Sequence, residues 1–196
     1  KHRGAFPAQR AYLVADPQQV DEWRSRFDAL GPGLKVGISW RGGTPTTRSS
    51  TRSIPLAEWL PLLRQPDIHF IDLQYGNHTE EIEAVEQRHE VRLARWTDAL
   101  SADYDATAAL VASLDLVISV QTSLVHLAGA LGQETWVLVP RVPEWRYGNH
   151  GRDMPWYSSA RLFRQTSTDW TEVLAEVETE LSRKADQRRH SAGTYL

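Results

Sequence analysis

Residues 113–132 constrain this chain more than any other stretch: Ser-Leu-Asp-Leu-Val-Ile-Ser-Val-Gln-Thr-Ser-Leu-Val-His-Leu-Ala-Gly-Ala-Leu-Gly. Leu116 to Val120 is a short, β-branched apolar run without the polar alternation of a half-exposed strand. Such a run suits a strand covered on both faces of a parallel sheet. Gln121-Thr122-Ser123 breaks it, and Leu124 to Leu131 follows, apolar nearly all round and closed by Gly132, a natural C′ residue. The reading is strand, tight turn, buried helix. That turn presents free backbone N–H groups and the positive end of a helix dipole at the carboxyl edge of a sheet, where anions bind.

The same alternation continues along the chain. Asp16 and Pro17 open a helix whose stripe is Val20, Trp23, Phe27 and Leu30, and Gly31-Pro32-Gly33 stops it. Strands are expected at Leu34–Trp40, Ile68–Leu73, Val91–Leu93, Leu116–Val120 and Thr135–Val139, with a last short one at Arg161–Arg164. Helices are expected from Ser53-Ile54-Pro55-Leu56 through Leu63, and at Thr79–His89, Asp103–Ser113, Leu124–Leu131 and Asp169–Leu181. The fold class is therefore α/β: a Rossmann-like parallel sheet with helices on both faces. Residues 1–33 read as an N-terminal arm and helix, 34–181 as the Rossmann-like domain, and 182–196 as a frayed polar tail.

Composition limits the function. At 196 residues and 41% hydrophobic the chain can bury one good core. A net charge of −3 gives no basic bias toward nucleic acid or a membrane surface, and no run approaches the ~20 apolar residues of a membrane span. Cysteine is absent, which excludes disulfides and thiolate metal sites, and no HExxH pattern occurs. The chain opens on Lys-His-Arg rather than Met, which suggests a piece of a longer protein.

Four segments converge on the expected carboxyl edge. Ser39-Trp40-Arg41-Gly42-Gly43 offers close backbone approach and, with Arg48 and Arg52 from the next loop, cations for a pyrophosphate. A mobile loop of solvated arginines is the competing reading. Gln74 and Tyr75 supply an amide to read a base or sugar and a stacking face, or simply cap a strand end. Gln121, Thr122 and Ser123 form the anion-facing turn, with His126 one turn later either reaching the phosphate edge or bracing the helix. The irregular segment from Arg141 to Ser159 brings Glu144, Trp145, Arg146, Tyr147 and Trp156, aromatic and charged, in a loop whose length points to function, although one that only packs over the sheet edge looks similar. Neither GxGxxG nor a Walker A lysine is present, which disfavours an oxidoreductase of the Rossmann class.

Taken in order, Val-Gly-Ile-Ser-Trp-Arg-Gly-Gly, Arg-Ser-Ile-Pro-Leu, Asp-Leu-Gln-Tyr-Gly, the 115–132 segment, Glu-Trp-Arg-Tyr-Gly and Met-Pro-Trp-Tyr carry a resemblance. From about Leu34 to Leu181 the chain resembles the C-terminal half of a GT-B glycosyltransferase. The likeness is to the glycosyltransferase family 9 (heptosyltransferase-like) domain of bacterial tetratricopeptide-repeat proteins. The resemblance implies a nucleotide-diphosphate sugar held against Thr122 and Ser123, and metal-independent transfer to an acceptor hydroxyl with no cofactor. It also implies an acceptor site and general base in an N-terminal Rossmann-like half. A cytoplasmic location is expected. The family usually has an acidic residue where this chain has Gln121. That departure, with the absent half, keeps open a second reading: a non-catalytic binding or scaffolding module.

Overall fold

The computed structural model describes residues 11–44, 46, 49–96 and 103–193; the polar arm 1–10 and Arg48 lie outside them. Seven strands form one sheet: β1 (Leu34–Ser39), β2 (Ile68–Asp72), β3 (Leu93–Ala94), β4 (Leu116–Val120), β5 (Thr135–Val139), β6 (Asp153–Met154) and β7 (Tyr157–Arg164). Their order is β3-β2-β1-β4-β5-β7-β6, parallel throughout except for the β6–β7 pair. The helices are α1 (Pro17–Asp28), α2 (Ser49–Arg52), α3 (Leu60–Leu63), α4 (Thr79–His89), α5 (Tyr104–Ala112), α6 (Ser123–Ala130) and α7 (Thr171–Gly193).

The period of two along each strand divides the core into two layers. Leu34, Val36 and Ile38 of β1, with Leu116, Ile118 and Val120 of β4, pack on the side that carries α3, α4 and α7. Ile71, Leu73 and Val117 face α1, α5 and α6 with Trp23, Phe27, Leu110 and Leu127. Both β1 and β4 are buried along their whole length, as central strands covered on both faces are.

Local chemistry sets the helix ends. Asp16 Oδ1 accepts from the Gln18 amide at 2.8 Å and caps α1. Gly132, at φ +72°, lets Gln133 N reach Ala128 O (2.9 Å) and Gly132 N reach Gly129 O (3.1 Å), the Schellman closure of α6.

Three expectations are corrected. The segment 182–193 is not a frayed tail but the last three turns of α7. Ion pairs to the sheet's amino edge hold it there: Lys184–Glu134 (2.7 Å), Arg188–Asp115 and Arg189–Asp67. The 56–63 helix is split into a 3₁₀ turn, Leu56–Trp59, and the single α turn of α3. The 141–159 segment is not irregular throughout, for it holds a 3₁₀ turn at Trp145–Tyr147 and the β6 strand, and β7 begins at Tyr157 rather than Arg161. Arg164 organises this segment, donating to the carbonyls of Tyr147, Gly148 (2.9 Å) and Gly151 (2.6 Å).

Candidate functional site

Strand order reverses between β1 and β4: the chain runs outward through β2 and β3, then returns to place β4 on the other side of β1. Loops leaving β1 and β4 diverge at such a switch point, and the crevice between them is where open α/β sheets bind ligands. Ser39 and Ser119 are register partners at the ends of these strands. The crevice therefore lies between the Trp40–Gly43 loop and the Gln121–Ser123 turn.

The β1 loop is held from behind rather than left mobile. Gln74 Oε1 accepts from Ser39 Oγ (3.1 Å), Trp40 N (3.0 Å) and Arg41 N (2.8 Å), while Nε2 donates to the carbonyls of Arg41 and Tyr75. All its hydrogen-bonding capacity is spent inside the protein, so the strand-end reading describes Gln74 and the base-reading role does not. Gly42 N donates to Ser53 Oγ at 3.1 Å. Of the two glycine amides expected to face a phosphate, that of Gly42 is thus consumed locally, as are the neighbouring amides of Trp40 and Arg41. The Trp40 indole is wholly buried and is a wall of the core, not a stacking face. Tyr75, by contrast, is 73% exposed.

Glu81 on α4 is the partner that sequence reasoning missed. One of its oxygens accepts from Trp40 Nε1 (3.0 Å) and Arg41 Nε (2.7 Å), the other from Leu56 N (3.1 Å). Burial pushes its carboxyl pKa up, but the bonds from Arg41, Trp40 and Leu56 together outweigh this and hold it below the ordinary value. A depressed carboxyl pKa contributes stability above the unfolded value, near pH 4.5, and loses it as pH falls through the folded value. Glu81→Gln is expected to flatten that part of the acid-denaturation profile below about pH 4.5. An unchanged profile in urea titrations at stepped pH would show that Glu81 has no such role.

Facing the β1 loop, the α6 turn is open. Thr122, the N-cap, makes no capping bond; its Oγ1 pairs with Ser119 Oγ at 3.1 Å. No acceptor among the described residues takes the amides of Ser123, Leu124 or Val125. Ser123 is exposed and Thr122 half-buried. Arg52, at the end of α2, crosses the crevice. Its Nη2 donates to Gln121 O at 2.6 Å and Nη1 lies 3.4 Å from Glu144 Oε1. Gly42 is packed so tightly here that a Cβ would stand 2.8 Å from Gln121 O and 3.1 Å from Arg52 O. That is the close approach its position calls for.

His126 faces away from the β1 loop. Its Nδ1 lies 3.2 Å from Tyr157 Oη, which also meets Tyr12 Oη at 3.3 Å, and its ring stands 6.2 Å from that of Tyr147. Burial lowers its pKa and the nearby Arg146 guanidinium lowers it further, so the ring is neutral at pH 7. Beyond it Arg146 lies over the Trp145 ring at 4.7 Å, with Trp156 edge-on to Trp145 at 6.0 Å. Trp145 is 68% exposed. These side chains make an aromatic and cationic rim beside the α6 turn. Chemically, the corner offers amide donors, a guanidinium and stacking surface: an anion site with an aromatic border.

A groove of about 480 Å³, lined by Arg24, Phe27, Lys35, Asp115 and Arg188, lies at the opposite, amino edge of the sheet. Its cations are engaged in the fold: Lys35 Nζ donates to Gly31 O (2.6 Å) and Gly33 O (3.1 Å), and Arg188 pairs with Asp115. Among the described residues no cluster of three metal-ligating side chains occurs, and no helix is long and apolar enough to cross a membrane.

With this geometry in hand, the chain can be placed among known structures. It superposes on the E. coli ADP-heptose LPS heptosyltransferase II with a TM-score of 0.56, at 16% identity, over 88% of this chain and 54% of that one. The E. coli heptosyltransferase WaaC with ADP gives 0.55 at 16% identity over 79% and 45%. The glycosyl transferase family 9 structure from Veillonella parvula gives 0.54 at 13% over 85% and 45%. The class is thereby defined: a mixed α/β, mostly parallel, GT-B-like fold of the heptosyltransferase kind. By sequence the chain is 34% identical over 181 residues to Protein FlbA of Caulobacter vibrioides, covering 90% of this chain and 30% of FlbA. The chain thus spans under a third of that relative and about half of the structural ones. No family model matches it.

Proposed function

We propose that this domain is the donor-binding half of a glycosyltransferase, holding a nucleotide-diphosphate sugar at the switch point for metal-independent transfer to an acceptor hydroxyl. The observation that carries the reading is the set of α6 amides without acceptors among the described residues, opening on the crevice beside Arg52. A departing diphosphate gathers charge as the glycosyl bond breaks, and prepositioned N–H groups and a guanidinium stabilise it. The aromatic rim of Trp145, Arg146 and Trp156 borders the base or sugar. Two carboxylates beside the crevice, Glu81 and Glu144, are both engaged by arginines. This supports an acceptor site and general base in a further Rossmann-like half, in a longer protein that can also carry tetratricopeptide repeats.

The engaged carboxylates equally favour a second reading, a binding module that retains the ligand but not the chemistry. Both require nucleotide binding, so that is tested first. Melting curves with millimolar UDP, GDP and ADP should show one of them raising Tm by several degrees; ligand at about a hundred times Kd adds about 2.7 kcal/mol. Ser123→Pro removes one α6 amide at the first helical position, where proline is tolerated, and Thr122 is already extended at φ −131°, ψ 174°. This variant should melt like the wild type without nucleotide and lose the nucleotide shift. Equal shifts in both proteins, or none with any nucleotide, would overturn the proposal. Sugar release from the bound donor by the full-length protein, in EDTA, separates enzyme from binding module.

A further inference from the structure

The side chain of Gln121 has one hydrogen-bonding group more than the fold uses. The residue is 1% exposed, at the carboxyl end of the central strand β4. Its Oε1 accepts from the Glu144 amide at 3.3 Å. A backbone N–H only donates, so this contact fixes which end of the carboxamide is oxygen. Nε2 is then buried with no partner among the described residues. Bare buried donors are rare because their lost hydration is not replaced.

The groups around the Gln121 backbone are donors too. Arg52 Nη2 is held on the Gln121 carbonyl at 2.6 Å, and the unclaimed amides of Ser123 and Leu124 begin two residues further on. Gly42 closes the opposite side, leaving no room for a side chain that would fill the corner. We infer that Gln121 is a specificity-determining contact whose Nε2 donates to an anionic oxygen of the bound ligand. A carboxylate here would present lone pairs only. It would repel an oxyanion and draw the Arg52 guanidinium to itself. The carboxamide reverses both effects and makes the end of β4 a donor surface. The oxygen belongs either to the diphosphate or to a carboxylate carried by the sugar; the recognising chemistry is the same.

This inference rests on the donor-site reading above, and the test separates the two. Isothermal titration of the full chain with pyrophosphate and with the nucleotide that shifts Tm is compared for wild type, Gln121→Met and Gln121→Glu, with ligand-free melts as folding controls. If the oxygen is phosphate, Gln121→Met weakens both ligands three- to tenfold. Gln121→Glu then weakens them more than tenfold at pH 7.5, with recovery toward pH 5 as the new carboxyl takes up a proton. If the oxygen is borne by the sugar, those two ligands are unaffected and the loss appears for that nucleotide's diphosphate-uronic acid but not for its neutral diphosphate-hexose. Variants that change the ligand-free melt while every Kd stays at the wild-type value would make Nε2 a water-filled strut and overturn the inference. A wild type that binds no nucleotide defeats the donor-site reading itself, and this inference with it.

Discussion

Gly129→Ala is expected to destabilise the domain by about 2–3 kcal/mol, lowering Tm by about 5–10 °C, although helix propensity alone predicts a gain of about 1 kcal/mol. Gly129 lies within α6, where a Cβ would stand 2.3 Å from Cγ, 2.5 Å from Cδ2 and 2.8 Å from Cβ of Tyr157. These atoms are the root of the side chain, not its tip. The Tyr157 backbone is fixed by pairing with Met154, so the ring cannot swing clear. Displacing it also breaks the contacts of Tyr157 Oη with His126 and Tyr12. Urea unfolding decides the sign: a variant as stable as the wild type, or more so, would mean that the α6–β7 contact is loose and yields to an added methyl group.

The second large effect is expected at Gln74. Replacing it with leucine keeps the approximate volume but removes the acceptor shared by Ser39 Oγ, Trp40 N and Arg41 N. Two of these are backbone amides, one wholly buried, and an unsatisfied buried donor costs about 1–3 kcal/mol. A loss of about 3–4 kcal/mol follows for Gln74→Leu, with faster hydrogen exchange at Trp40 and Arg41 before it spreads elsewhere. A loss under 1 kcal/mol, with the loop amides still protected, would show that the β1 loop holds its shape without this latch. Because Gly42 abuts the Gln121 carbonyl, release of the loop also opens one wall of the crevice.

Much of this was legible in the residues. Strands β1, β2, β4 and β5 stand where short, apolar-rich runs stand, and α1, α4, α5 and α6 follow from caps and stripes, because local sequence dictates local burial. The open α6 turn was legible for the same reason: a polar tripeptide between two apolar runs leaves its amides nowhere else to go. The roles of Gln74 and Trp40 were not. An amide after a buried strand suits a ligand contact and a loop latch equally, and the choice depends on amides 34 and 33 residues away in the chain. In the sequence Glu81 is one of several charges along α4, and only packing brings it to Trp40 and Arg41. The 182–193 segment read as polar tail because each of its charges, taken alone, favours water; three partners on the sheet's amino edge make it a helix end.

What the sequence determined by itself was the alternation of elements, the two-sided burial of the central strands, and a turn with free amides after β4. These are properties of segments shorter than twenty residues, settled by side-chain period and by the obligation of backbone groups to find partners. What tertiary structure alone decided was the strand order, and with it the position of the crevice between β1 and β4. It also decided which polar groups around that crevice remain open. That second decision is a matter of distance between remote parts of the chain: a donor is available to a ligand only if no distant acceptor has been folded against it.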